Sequence, residues 1–230
     1  MKGLGGAGWV KTARQGAGSV RRPRGLCLAI LGADGSGKTA VIARLTEHLT
    51  RSRCRRPTYM HFRPRLGSGV SSGAPVTDPH GRPPRGPLLS MAKLLYYLFD
   101  FAAGYAWKVW PARRRSDVVI FDRYYDDILI DPRRYRYGGS LAPVRAIGAL
   151  IPRPDMFIVL DAPAAILQAR KREVEIGESA RVREDYLLFA RSAPRAHVVD
   201  ASRTLDEVFD EVRGLVESQL GPQPEPLPGS

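Results

Sequence analysis

Two rhythms of apolar residues alternate along the chain. Short, nearly continuous apolar runs occupy Leu26–Leu31, Asp117–Phe121 and Met156–Leu160, with Thr58–Phe62 and His197–Val199 as shorter companions. Runs of this kind predict strands buried on both faces. Between them, apolar residues recur three and four apart. Val41, Ile42, Leu45 and Leu49 mark a helix over 38–50, and Leu141, Val144, Ile147 and Leu150 mark another. Ala164–Arg172 reads as helix, and Leu205, Val208, Phe209, Val212, Leu215 and Val216 close the series. Leu88–Trp110 predicts a long helix that is apolar on much of its surface. Strands alternating with helices predict an α/β domain, a parallel five-stranded sheet with helices on both faces, spanning 25–220. No internal repeat is visible. The Gly-rich basic stretch 1–24 predicts a disordered arm, and GPQPEPLPGS at 221–230 a disordered Pro-rich tail. Arg63–Pro87, rich in Gly, Pro, Ser and Arg, predicts a long loop inside the domain.

Composition narrows the classes. A chain of 230 residues suits one domain with a sizeable core. Hydrophobic residues at 43% and charged residues at 26% predict a soluble globular fold. Lys and Arg exceed Asp and Glu by 36 to 23, and the net charge of +13 favours acidic partners: nucleotides, nucleic acid or an anionic surface. Two cysteines, Cys27 and Cys54, exclude a disulfide scaffold and a multi-Cys zinc site. His48, His61, His80 and His197 show no metal-ligand spacing. Lys93, Asp100 and Lys108 break the most apolar stretch, so no membrane span is expected. The basic N-terminus lacks an apolar run of signal-peptide length, which makes the cytoplasm the expected compartment. A transit peptide is the alternative for 1–24, and the absence of amphipathic spacing speaks against it.

The chemistry concentrates in one motif. Gly32-Ala33-Asp34-Gly35-Ser36-Gly37-Lys38-Thr39 satisfies G-x-x-x-x-G-K-[ST], between a predicted strand and a predicted helix. Glycines let successive backbone N–H groups turn toward phosphate oxygens, and the helix N-terminus adds its positive dipole end. The predicted nucleotide cradle is Gly32, Asp34, Gly35, Ser36, Gly37, Lys38, Thr39 and Ala40. Lys38 is expected to reach the β- and γ-phosphates, and Thr39 to ligate magnesium. A second strand ends in Asp122, a carboxylate placed to hold magnesium or its waters. Arg123 follows, either to bind the acceptor's anionic group or to sit in a structural ion pair.

These residues bring out a family likeness. GADGSGKT at 32–39, VVIFDRYY at 118–125, PDMFIVLDAP at 154–163, LQARKREVEIGESARVRE at 167–184 and VVDASRTLDEV at 198–208 together resemble the thymidylate kinase family. The resemblance covers about Gly25 to Leu220 and implies a three-layer P-loop kinase fold, ATP as donor, magnesium as cofactor and a small-molecule phosphate acceptor. It implies that Asp34 contacts the acceptor sugar and that Arg123 and Arg63 contact the acceptor phosphate. It also implies that Arg170–Arg183 is a mobile lid whose Arg170 and Arg183 are catalytic, alongside Lys38, Asp122 and Arg123. The Leu88–Trp110 helix would serve a homodimer interface, as in that family, or simply the core.

The acceptor side departs from the family. The helix that carries an Arg near the acceptor base reads FDFAAGYAW at 99–107, and Asp126, Asp127 and the run Asp131–Gly139 replace the residues usual after the Asp-Arg pair. The acceptor is therefore open between thymidine monophosphate, another nucleotide, a nucleoside, and a sugar or lipid-linked group. ATP is not separated from GTP. Two rivals come from other classes. One is nucleic-acid binding through Arg51–Arg56, Arg113–Arg115 and Arg133–Arg136, with Tyr135 and Tyr137 stacking bases. Against it, no nucleic-acid module is present, and such runs are more often solvated faces. The other is a regulatory NTPase, disfavoured by the missing switch sequences.

Overall fold

A computed structural model describes residues 25–52, 57–64, 83–115, 117–170 and 176–220. The expected arm 1–24, the tail 221–230, positions 65–82 of the long loop, Cys54, His80 and Arg172 lie outside the described residues.

Five strands form one parallel sheet: β1 (Leu26–Leu31), β2 (Thr58–His61), β3 (Val118–Asp122), β4 (Met156–Asp161) and β5 (Ala196–Asp200), in the order β2-β3-β1-β4-β5. β1 and β3 are fully buried, and only the terminal Asp161 of β4 is partly open, as continuous apolar sequences require. Helices α1 (Lys38–Ser52), α2 (Pro87–Gly104), α3 (Trp110–Arg114), α4 (Asp127–Ile130), α5 (Leu141–Gly148), α6 (Ala164–Arg170), α7 (Ile176–Ser192) and α8 (Leu205–Leu220) cover it. From β1 the chain runs out to β2, returns through β3, then crosses to β4 and β5 on the other side of β1. The reversal falls at β1, so a crevice opens at the carboxyl ends of β1 and β3, where ligands of open α/β sheets bind. Ile30 pairs with Asp122, and Asp122 with His61, which sets three strand ends side by side.

Three local findings refine the sequence reading. The long helix runs on to Arg114 but contains a π-helical turn at Tyr105–Val109. Pro111 explains it: lacking an N–H and crowding the preceding turn, it widens the helix so that the Trp110 N–H reaches Tyr105 O. The segment Ser179–Arg183, read as part of a mobile lid, is continuous helix within α7. The Arg113–Arg115 run is not simply a solvated face, because Arg113 is buried and pairs with Asp155 at 3.0 Å.

Candidate active site

The phosphate loop lies directly after β1 and opens α1. Its glycines carry the geometry. Gly35 has φ +84, and a Cβ there would stand 2.6 Å from Leu167 O; Gly37 has φ +85. Both are left-handed conformations in which side chains are strained. Lys38 folds back under the loop and donates from Nζ to Gly32 O at 2.9 Å, Ala33 O at 2.8 Å and Ser36 Oγ at 3.3 Å. Burial, with Arg123 adding repulsion, lowers its ammonium to about 7, although Asp34 and Asp122 oppose the shift. Thr39 and Ala40 face outward from the first turn of α1.

Asp122 ends β3 at the same edge. Its Oδ2 accepts from Tyr59 Oη at 3.2 Å, while Oδ1 is buried without a partner. A buried carboxylate oxygen left unpaired calls for an explanation, and an ion or its water supplies one. The described residues hold no cluster of three acids, His or Cys able to cage a metal. That suits magnesium, which takes one or two protein oxygens and completes its shell with phosphates and water. Asp122 and Thr39 are the residues that would hold it.

Arg123 is the centre of a buried ionic network. Its φ of +69 is a strained conformation for a residue with a side chain. The guanidinium donates to Asp34 at 2.7 Å, Asp127 at 2.9 Å and Tyr186 Oη at 2.7 Å. Arg134 closes on the other oxygen of Asp34. Burial alone would raise the Asp34 carboxyl, but Arg123, Arg134 and Lys38 hold it well below the usual carboxylate range. Asp127, fully buried on α4, is likewise held low against burial by Arg123, aided by the hydroxyls of Tyr186 and Tyr135. A cavity of about 20 Å³ lined by Asp34, Arg123, Asp131, Arg134, Ser179 and Tyr186 lies here. It has room for about one water.

The other predicted residues stand apart from this network. Arg63 follows β2, pairs with Asp100 at 2.8 Å and lies over Tyr96 and Tyr97. Phe62, at φ +63, makes the turn that aims it. Arg183 grips Asp161 at the end of β4 with two bonds of 2.7 and 2.8 Å. Arg170 donates to Ala201 O at 2.8 Å. Thus Lys38, Asp34, Asp122 and Arg123 converge, whereas Arg63, Arg170 and Arg183 have partners of their own. Asp127, Arg134 and Tyr186 escaped the sequence reading as site residues. The Asp126–Tyr137 segment departs from the family in its residues, but only the fold brings Tyr186, on a distant helix, to Arg123.

Base stacking finds no support in this geometry. Tyr137 is buried, and Tyr135 is half-buried with its hydroxyl on Asp127. Arg134 is spent on Asp34. No helix among the described residues is long and apolar enough to cross a membrane.

A parallel sheet with a phosphate loop at its reversal point, faced by an Asp-Arg pair, defines a P-loop phosphotransferase. Comparison with known proteins makes the class specific. The thymidylate kinase family profile matches residues 30–212. Thymidylate kinase of Carboxydothermus hydrogenoformans is 30% identical over 86% of this chain and 100% of its own length. Those of Nitratidesulfovibrio vulgaris and Leifsonia xyli are 32% identical over 82% of this chain and 94% of theirs, and 33% over 87% and 98%. The chain belongs to the thymidylate kinase family. It is an ATP-dependent phosphotransferase acting on a nucleoside monophosphate.

Proposed function

We infer that the protein moves the γ-phosphoryl of ATP to a nucleoside monophosphate whose base differs from thymine. The carrying observation is the double grip on Asp34. A residue of the donor loop is bound by both acceptor-side arginines, Arg123 and Arg134, so donor and acceptor sites are one electrostatic unit. The base side supports a changed acceptor. Phe101 stands in the stretch that lacks the family's Arg and is buried against Phe62, Tyr124 and Tyr125.

Catalysis in this reading is positioning and charge neutralisation, with no covalent intermediate on the protein. Lys38 leaves the carbonyls of Gly32 and Ala33 to meet the donor's phosphates. Arg123 and Arg134 exchange Asp34 for the acceptor phosphate, and Asp34 is released toward the acceptor sugar. Asp127 and Tyr186 keep Arg123 aimed throughout. Asp122 and Thr39 would hold magnesium, which would supply charge neutralisation on the phosphates. Arg63 takes an anionic group of the acceptor, and Arg170 and Arg183 turn from Ala201 and Asp161 onto the phosphates when α6 and α7 close.

ATP as donor favours a cytoplasmic site of action. A homodimer through α2 is part of the same reading. Every exposed residue from Pro87 to Trp110 is uncharged, including Leu88 at 87%, Phe99 at 64% and Trp107 at 75% exposure. At 1.5 Å per residue this stripe is roughly 35 Å long. A second copy would bury such a surface against its equal.

The test is ADP formation from ATP with each common nucleoside monophosphate offered in turn. Saturable turnover with at least one monophosphate, and little with thymidine monophosphate, is expected. Efficient turnover of thymidine monophosphate would overturn the base assignment.

A further inference from the structure

We propose that the acceptor side contains a second anion subsite, formed by Arg63, Arg85, Lys93 and Arg136, which receives an additional phosphate or carboxylate carried by the nucleoside monophosphate. This rests on the acceptor reading above and specifies its substrate class.

The four cations come from three places in the chain. Arg63 follows β2. Arg85 and Lys93 flank the start of α2. Arg136 belongs to the segment after α4 and bonds through its carbonyl to the Arg85 N–H at 2.9 Å. Lys93 Nζ donates to Tyr135 O at 2.9 Å and lies 5.2 Å from the Tyr97 ring. Burial lowers the Lys93 ammonium to about 8, and Arg85, Arg63 and Arg136 push it further in the same direction. Asp100 is the one carboxylate that pairs with any of the four among the described residues. Arg85 Nη1 is buried without a hydrogen-bond partner. A guanidinium N–H buried and unpaired, among like charges that repel, is costly. An anion seated there would accept from Arg85 and relieve the repulsion at Lys93 through charge-assisted bonds.

Arg85, Lys93 and Arg136 stand apart from the residues that hold the reacting phosphate, while Arg63, which shares the Tyr97 ring with Lys93, belongs by family resemblance to both groups. Tyr135 stands between them. Its hydroxyl reaches Asp127 beside Arg123, while its carbonyl takes Lys93. Arg123 and Arg134 are balanced by Asp34 and Asp127, whereas among the described residues the Lys93 cluster has Asp100 alone against its four cations. An acceptor with a single phosphate satisfies the first group and leaves the second uncompensated. One with a further anionic group on its sugar or base satisfies both.

Calorimetric titration of the full chain tests this with three probes: thymidine 5′-monophosphate, thymidine 3′,5′-bisphosphate and orotidine 5′-monophosphate. At least one of the doubly anionic compounds should bind about tenfold or more tightly than the monophosphate. Lys93→Met and Arg85→Gln, each checked for a native melting transition, should bring that ratio near one, and Lys93→Arg should keep most of it. If Arg85→Gln does not fold, Lys93→Met decides. Equal affinities in the native chain, a preference that survives Lys93→Met, or no binding of any probe would overturn the inference. A preference that is lost in Lys93→Met, without turnover of any monophosphate, would support the subsite and overturn the acceptor reading instead.

Discussion

In the proposed mechanism Lys38 meets the donor phosphates, and its ionisation sets a pH signature. Its ammonium is lowered to about 7 by burial and by Arg123. The unfolded chain keeps this group near 10.5. Between those values the unfolded state binds more protons, so Lys38 makes stability rise with pH across that window. Bound phosphates reverse the local charge and raise the ammonium again. Nucleotide binding at pH 8 should therefore take up protons, and at pH 6, where Lys38 is already charged, the uptake should fade. Calorimetry in two buffers of different ionisation enthalpy measures it. Identical proton uptake at both values would show that Lys38 does not change its charge on binding. The motif itself was fully legible in the sequence, because the spacing of Gly32, Gly37, Lys38 and Thr39 is a local property. Arg134 and Tyr186 were not legible, because their roles arise from contacts with Asp34 and Arg123 across separations of 100 and 63 residues.

At the scale of elements, all five strands and the principal helices could be read from apolar rhythm, since continuous runs and three-four spacing are direct consequences of burial. The π turn was hidden because apolar spacing barely distinguishes it from α-helix, although Pro111 was its signal. α7 was blurred by its many charges, which pair along the helix, as Arg181 does with Glu178 at 2.6 Å and Asp185 at 3.4 Å. Such exposed pairs contribute little stability. In the proposed closure, Arg183→Ala and Arg170→Ala should lower kcat at least tenfold, with a melting shift of a few degrees from the lost bonds to Asp161 and Ala201. Unchanged kcat with a large loss of stability would make both residues structural. α2 is fastened to the turn after β2 at Gly104, where a Cβ would stand 1.9 Å from Pro64 O. Gly104→Ala should cost about 1–3 kcal/mol by overpacking. It should also move Arg63, raising the acceptor KM more than the ATP KM. An unaltered melting temperature would show that this contact relaxes freely.

For the whole molecule, the excess positive charge is partly internal. Arg113 pairs with half-buried Asp155, Arg134 with half-buried Asp34 and Arg123 with Asp34 and fully buried Asp127, and Lys93 lies beside Arg63, Arg85 and Arg136. The net charge of +13 pointed to an acidic ligand, and the phosphates of a nucleotide are one. The apolar stripe of α2 is the face the proposed dimer would bury. Phe99→Glu combined with Trp107→Glu should yield a monomer by sedimentation, with the melting transition retained. A native chain that sediments as a monomer would remove the dimer from the account. The central claim is phosphoryl transfer at the junction of Lys38, Asp122 and Arg123, and acceptor-dependent ADP formation measures it most directly. The native chain should turn over at least one nucleoside monophosphate in the presence of magnesium. Lys38→Ala, which removes about 3–4 kcal/mol of transition-state stabilisation, should fall by a hundredfold or more while remaining folded. Near-native turnover by folded Lys38→Ala, or no acceptor-dependent ADP from the native chain, would contradict it.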